Sequence, residues 1–277
     1  MKRIATVCLL CCLLVGSLLA CNVLPNVTAN GTPVISSSPA TGSPTPALKT
    51  WYPAAAGVAV RYEDWQVAGG HEDTVTIVRL DLKRVHISIG YQPDQPLTMN
   101  VWMKQTGALA MINGGYFDAR NHPTGLLVSN GQVNGASYDG FGGMLSVDTQ
   151  GNVTLRSLRE QPYDTNEQIQ QATQSSPMLM INGQRTQFTV NKDVQRRSVV
   201  ATDKQGHLLL IASPGAEFSL DDMADLLVKS DLSIQNALNL DGGSSTGLYV
   251  TGKQQVSIDP LLMIPIVIIV KWGTTGL

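Results

Sequence analysis

Ala237-Leu238-Asn239-Leu240-Asp241-Gly242-Gly243-Ser244-Ser245-Thr246 reads as the end of a buried strand that turns polar at once, with a carboxylate, two glycines and three hydroxyls in a row. Asp241 stands where the strand surfaces, and the glycines allow a close approach of a ligand to the backbone. A second stretch, Ala108-Leu109-Ala110-Met111-Ile112-Asn113-Gly114-Gly115-Tyr116-Phe117-Asp118, repeats the plan: an apolar run, then Asn and Gly-Gly, with an acid shortly after. Either could be a tight turn leaving a sheet. Together, with an acid in each, they point to two strand ends facing one cleft.

Around these ends the periodicity is mainly that of strands. Val58–Val67, Thr74–Leu80 and Val85–Tyr91 alternate and are separated by turn residues. A helix is predicted from an N-cap at Thr98 to a stop at Gly107. Hairpins are predicted at Gly125–Val133 and Met178–Gln184, each turning on Asn-Gly, and at Gly142–Arg156 and Ser198–Ala212. The Gln-rich stretch Glu160–Ser176 reads as a partly helical surface excursion. The clearest helix starts at Ser219, where Asp222 completes a capping box and Leu220, Met223, Ala224, Leu227 and Val228 form an apolar stripe. Ile264–Val270 is apolar throughout, as a central strand is, and too short to span a bilayer as a helix. These elements predict an α+β fold: a single domain on a mixed, curved β-sheet with two or three packed helices.

The N-terminus carries a different signal. Lys2 and Arg3 precede an apolar run, and small residues lead into Cys21, the pattern of a secretory signal peptide over 1–20. Leu18-Leu19-Ala20-Cys21 resembles the bacterial lipobox, which implies lipidation at Cys21; the alternative is ordinary cleavage near Ala20. Residues 21–48 are rich in Pro, Ser and Thr, a tether that cannot bury enough apolar surface to fold. The domain is therefore assigned to 49–277, and the protein to the outer side of a bacterial cell-envelope membrane. All four cysteines lie at or before position 21, so the exported domain has no disulfide to stabilise it. A net charge of −2 offers no basic face for nucleic acid. A monomer is expected.

Five segments carry a family resemblance: Ile112–Asp118, Gly125-Leu126-Leu127, Ser176-Pro177-Met178-Leu179, Arg197–Ala201 and Asn239–Ser245. In this order they resemble the phosphodiester glycosidase domain, over about Gly57 to Lys271. Ala201 stands where Gly is expected and Ser244 where many members have a third Gly; neither departure removes a charged group. The resemblance implies cleavage of a sugar–phosphate bond more firmly than it implies any particular sugar.

Such a site must hold an anion and a sugar and deliver a nucleophile to C1. Asp241 and Asp118 are the candidate catalytic carboxylates, Asp241 foremost, since phosphate leaves readily and one essential acid suffices. Asp118 can equally be a turn residue. Arg197, at the family's motif position, offers a fork for phosphate, whereas Arg196 beside it reads as solvated. The N–H groups of Gly114-Gly115 or Gly242-Gly243, with the Ser245 hydroxyl, can form an anion nest. Asn113 can bind sugar hydroxyls or hold Asp241 in place. Tyr116 or Phe117 can stack on sugar, though an aromatic after a strand is more often core; His122 is set aside as exposed. No paired Cys and His suggest a metal, and no cofactor is expected; Ca²⁺ between Asp241 and Asp118 is an option the spacing does not require. Two readings follow: a lipid-anchored hydrolase of envelope or extracellular glycans, or a non-catalytic lipoprotein that binds anionic glycan in the same cleft.

Overall fold

The computed structural model describes residues 46–273; the signal segment, Cys21 and nearly all of the tether lie outside the described residues. Among the described residues there are three antiparallel sheets and two α-helices. An eight-stranded sheet runs, in spatial order, Tyr52–Ala55, Val58–Gln66, Glu72–Leu80, Leu208–Phe218, Gln195–Asp203, Ile234–Asn239, Met178–Ile181 and Gln184–Arg185. A second sheet orders Gln132–Asn134, Leu127–Ser129, Ile169–Ser175, Gly143–Asp148 and Val153–Ser157. A third orders Val256–Ile258, Leu248–Val250, Ala110–Asn113, Ile266–Trp272 and Val85–Tyr91. The α+β class and the single domain hold. The strands, however, are divided among three sheets where one mixed sheet was predicted, and every pairing among the described residues is antiparallel.

Alternation explains why several strands are apolar on both faces. Ile266, Ile268 and Val270 join Val78, Leu80, Val200, Leu208 and Leu210 in a central core shared by all three sheets. Val267 and Ile269 face the other way, onto Met99, Trp102 and Met103 of the helix Met99–Thr106. Likewise Ile77, Val199, Leu209 and Ile211 leave the central core to pack on the helix Leu220–Lys229. Burying both faces of a strand favours continuous apolar sequence over strict alternation.

Both helices begin as predicted. The Thr98 hydroxyl accepts from Val101 N–H, Gly107 closes the first helix in a left-handed conformation, and Ser219 and Asp222 form a reciprocal capping box. The second helix buries Leu226 where the stripe named Val228, which is exposed. The two Asn-Gly hairpin turns, Asn130-Gly131 and Asn182-Gly183, have positive φ at both residues, the geometry that matches strand twist.

Of the stretch predicted as a partly helical excursion, residues 160–168 do run over the surface, without a helix, whereas Ile169–Ser175 is a central strand, buried from Gln171 onward. Its glutamines look like surface residues but serve as backbone surrogates. Gln171 Oε1 accepts from Ile89 N–H at 3.0 Å and from Asn130 N–H at 3.3 Å, and its amide donates to Asn130 Oδ1 at 2.9 Å. With Ser129 Oγ donating to Ile89 O at 2.7 Å, side chains of the second sheet satisfy both backbone groups of Ile89 at the edge of the third. Gln174 does the same for Leu126 and Tyr138, accepting from their N–H groups at 3.1 and 2.8 Å.

Gln171→Leu should therefore destabilise the fold although it adds apolar bulk to a buried site. It leaves two backbone N–H groups without an acceptor, a loss of about 2–4 kcal/mol, which for a domain of this size lowers Tm by roughly 5–15 °C. A leucine variant that melts with the wild type would remove this side chain from the account of how the sheet edge is closed.

Candidate active site

The two polar strand ends meet. Asp241 N–H donates to Gly114 O at 3.1 Å, and Asp241 O accepts from Asn113 Nδ2 at 2.7 Å. The Asn113 amide, 1 % exposed, also donates to Gly114 O, and its oxygen accepts from Ser198 Oγ at 2.7 Å and Gly247 N–H at 3.1 Å. Of the two roles considered for Asn113, the geometry selects the second: the side chain is fully used in bracing the chain at Asp241, with nothing left for a sugar.

Asp241 is half-buried, and burial pushes its carboxyl above the ordinary value; the Ser245 hydroxyl and the Gly242 N–H pull the other way. Two phenols stand within reach of its charge. Tyr116 is pushed up to about 12, by burial first and then by Asp241, against the hydrogen bond from Asn239 and the positive charge of Arg197. Tyr138 is raised by burial and by Asp241, against its hydrogen bond with Thr124.

Asn239 fixes the polarity of Tyr116. Its amide nitrogen lies 2.8 Å from Tyr116 Oη and 2.9 Å from Ser176 O. A carbonyl can only accept, so the NH₂ group faces both partners and Tyr116 is the acceptor. The phenol's own proton then has no acceptor among the described residues, and with its pKa near 12 it stays in place to donate to a ligand.

Arg197 is buried. Its Nε donates to Phe218 O at 2.9 Å and its Nη2 to Asp193 O, while Nη1 makes no hydrogen bond among the described residues. Nη1 lies 3.9 Å from where a Cβ on Gly242 would stand. The bidentate fork read from sequence is thus half-occupied by backbone carbonyls, and one nitrogen remains towards the glycine turn. Arg196 is not the solvated residue of the sequence reading: it is half-buried, donating to Pro214 O and Asp259 O at 3.0 and 2.8 Å.

The glycine pairs differ. Gly114 N–H is taken by Ile266 O at 2.8 Å and Gly115 N–H by Thr173 Oγ1 at 3.3 Å, so they form no anion nest. These two glycines are required sterically, because a Cβ would collide with Ile266 at the first and with Gln174 O at the second. The N–H groups of Gly242, Gly243 and Ser244, in contrast, meet no backbone carbonyl among the described residues, and Gly242 passes so close to Arg196 O that a Cβ would come within 2.9 Å. Ser245 is buried beneath that turn, facing Asp241.

Asp118 is held in a turn of its own. Its carboxylate is exposed, accepts from Arg120 and His122 N–H at 2.8 and 2.9 Å, and is held below the ordinary value chiefly by the His122 backbone. That is an Asx turn. The positive charges of His122 and Arg120 add to that lowering. No group of three or more His, Cys, Asp or Glu side chains that could hold a metal ion occurs among the described residues. Phe117 packs against the central core, and His122 is exposed.

Tyr138, Asn239 and Ser198 escaped the sequence reading as site residues. For Asn239 a signal existed: Leu238 and Leu240 enter the central core, so period-two alternation puts Asn239 and Asp241 on the opposite side together. Tyr138 comes from an irregular loop, where no periodicity could point to it.

Comparison with known proteins agrees with this arrangement of fold. The family described as Phosphodiester glycosidase matches residues 106–263. YigE, an uncharacterized protein of Escherichia coli strain K12, is 32% identical over 159 residues, in a match covering 51% of this chain and 58% of YigE. Among solved structures, the zebrafish N-acetylglucosamine-1-phosphodiester alpha-N-acetylglucosaminidase catalytic domain, auto-inhibited by its pro-peptide, superposes with a TM-score of 0.60 at 21% identity. That superposition covers 76% of this chain and 82% of the zebrafish one. A hypothetical protein from Synechocystis gives a TM-score of 0.57 at 17% identity, covering 78% of this chain and 62% of its own. At these identities the structural likeness is one of fold.

Proposed function

The chain belongs to the phosphodiester glycosidase family, and on that premise we propose that it hydrolyses the bond between a sugar's anomeric carbon and a phosphate oxygen in glycosyl phosphodiesters of cell-envelope or extracellular glycans. The observation that carries this reading is the position of Asp241: a half-buried carboxylate braced through its backbone, beside a free guanidinium nitrogen, a free phenolic proton and unused backbone N–H groups. One negative group for C1 and several donors for an anion are what the reaction requires.

In this scheme the phosphate lies against Arg197 Nη1, the Tyr116 hydroxyl and the Gly243–Ser244 backbone. The sugar's C1 lies against Asp241, whose charge stabilises the oxocarbenium-like centre as the C1–O bond breaks and the electron pair leaves with the phosphate. Water supplies the new C1–O bond, and its proton passes to the departing phosphate or to solvent. Tyr116 donates a hydrogen bond without giving up its proton, since a phenol held near 12 stays protonated at neutral pH. Raising the carboxyl of Asp241 by burial makes it a better partner for positive charge than a solvated acid. Export and lipid attachment at Cys21, with the tether 21–48 holding the domain off the membrane, complete the reading. If Cys21→Ser leaves the protein in the membrane fraction and still labelled by palmitate, that part of it fails.

The test of the chemistry is turnover of UDP-N-acetylglucosamine by the purified protein, measured together with thermal melting. Asp241→Asn should lower kcat/KM at least about a thousandfold, roughly 4 kcal/mol in the barrier, while Asp118→Asn should stay within about threefold. The melt should move the opposite way. A carboxyl raised in the folded state contributes stability only below its ordinary value, and loses it as pH rises through the raised one. The asparagine variant should therefore melt higher at neutral pH, by up to about 2–4 °C, and together with the wild type near about pH 3. Saturable binding without turnover by the wild type would replace hydrolysis with the non-catalytic glycan-binding reading.

A further inference from the structure

Beside the Asp241 cleft the surface opens into a groove of about 810 Å³, a volume within the roughly 300–1,000 Å³ range of small-molecule sites. Its near end is formed by Gly142, Ser176 and Pro177. Ser176 O is the carbonyl that receives Asn239 Nδ2, the same amide that holds Tyr116, so two hydrogen bonds through that amide link the groove's near end to the Tyr116 hydroxyl. Its outer wall includes Phe188, Thr189, Val190 and Asn191, from the segment that leads to Asp193, whose carbonyl holds Arg197.

The feature that gives the groove a chemistry is Phe141. This ring is 47% exposed and lines the groove, yet it is held in place: it stacks on Tyr138 with centroids 4.6 Å apart and an interplanar angle of 28°. The backbone is built to present it. Gly140 and Gly142 flank it with φ of +70° and +74°, and a Cβ on Gly142 would stand 2.6 Å from Ser175 O and 3.0 Å from the Tyr138 ring. Two left-handed glycines and a close backbone approach around one exposed phenylalanine are a costly way to make a surface loop and a direct way to make a platform. An aromatic face with one side open suits the C–H face of a pyranose ring.

Arg159 and Glu160, both exposed, bring one charge of each sign to the remaining wall. The other cation, Arg185, is half-buried, paired with Asp221 at 2.5 Å and Asp225 at 2.6 Å, and lies over the Phe188 ring. Asn182, Gln184 and Gln187 line the groove with amides, which donate to and accept from hydroxyls. We propose that this groove is a glycan-chain subsite, in which a neutral pyranose stacks on Phe141 on the leaving-phosphate side of Asp241. Its placement relative to the phosphate rests on the hydrolytic reading above; the binding itself does not.

Calorimetric titration of the purified full-length protein with cellotetraose and with chitotetraose, neutral tetramers with flat equatorial faces, tests it without turnover. At least one tetramer should bind saturably. Phe141→Ala should weaken that binding at least about tenfold, and Phe141→Trp should keep it within about threefold. Phe141 is exposed, so both variants should melt with the wild type. Asp241→Asn should bind the tetramer as the wild type does, which keeps the subsite separable from the hydrolysis: tetramer binding by a wild type that turns over no UDP-N-acetylglucosamine leaves the subsite standing where the hydrolytic reading fails. Absence of binding to both tetramers, or equal affinity in Phe141→Ala and the wild type, overturns the proposal.

Discussion

The buried amide of Asn113 is the contact on which the site depends. Four hydrogen bonds converge on it: outward to Asp241 O and Gly114 O, and inward from Ser198 Oγ and Gly247 N–H. They join the end of Ala110–Asn113 in one sheet to the ends of Gln195–Asp203 and Ile234–Asn239 in another. Only an amide serves, because two of the bonds need a donor and two need an acceptor. Aspartate would lose the donors and leucine would lose both, with buried backbone groups left unsatisfied.

From that brace the chemistry of Asp241 follows. The Asn113 amide and the Gly114 carbonyl fix the main chain of Asp241 on both its sides, which orients its carboxylate without engaging it. Among the described residues the carboxylate itself is held only by the Ser245 hydroxyl and the Gly242 N–H, while its burial raises its pKa above the ordinary value. Around it the same economy recurs: Asn239 holds Tyr116 but leaves the phenolic proton, and Phe218 and Asp193 hold Arg197 but leave one nitrogen. Side-chain amides and backbone carbonyls position the groups, and Tyr116 and Arg197 each keep one unused donor, an arrangement suited to electrostatic preorganisation.

Much of this was legible in the sequence where the signal is local. The capping box at Ser219, the Asn-Gly turns and the paired polar strand ends are each written in neighbouring residues, and they appear where they were read. What was not legible depends on partners far along the chain. Gln171 and Gln174 look solvated until the strands whose N–H groups they receive are in place, so a central strand reads as a surface excursion. Gly114 and Gly115 look like an anion nest until Ile266 and Gln174 are packed against them. Arg196 and Arg197 are neighbours with the same side chain, and only the carbonyls of Pro214, Asp259, Phe218 and Asp193 distinguish them.

The central claim is that the carboxylate of Asp241 acts at the sugar's anomeric carbon and that the phosphorus atom is left alone. Hydrolysis of UDP-N-acetylglucosamine in ¹⁸O-labelled water, followed by mass spectrometry of the phosphate-bearing product, tests it most directly. Cleavage between C1 and oxygen predicts a nucleotide product that carries no ¹⁸O, the label entering the released sugar. A nucleotide product with ¹⁸O in its phosphate would mean that water attacked phosphorus, and would contradict the account.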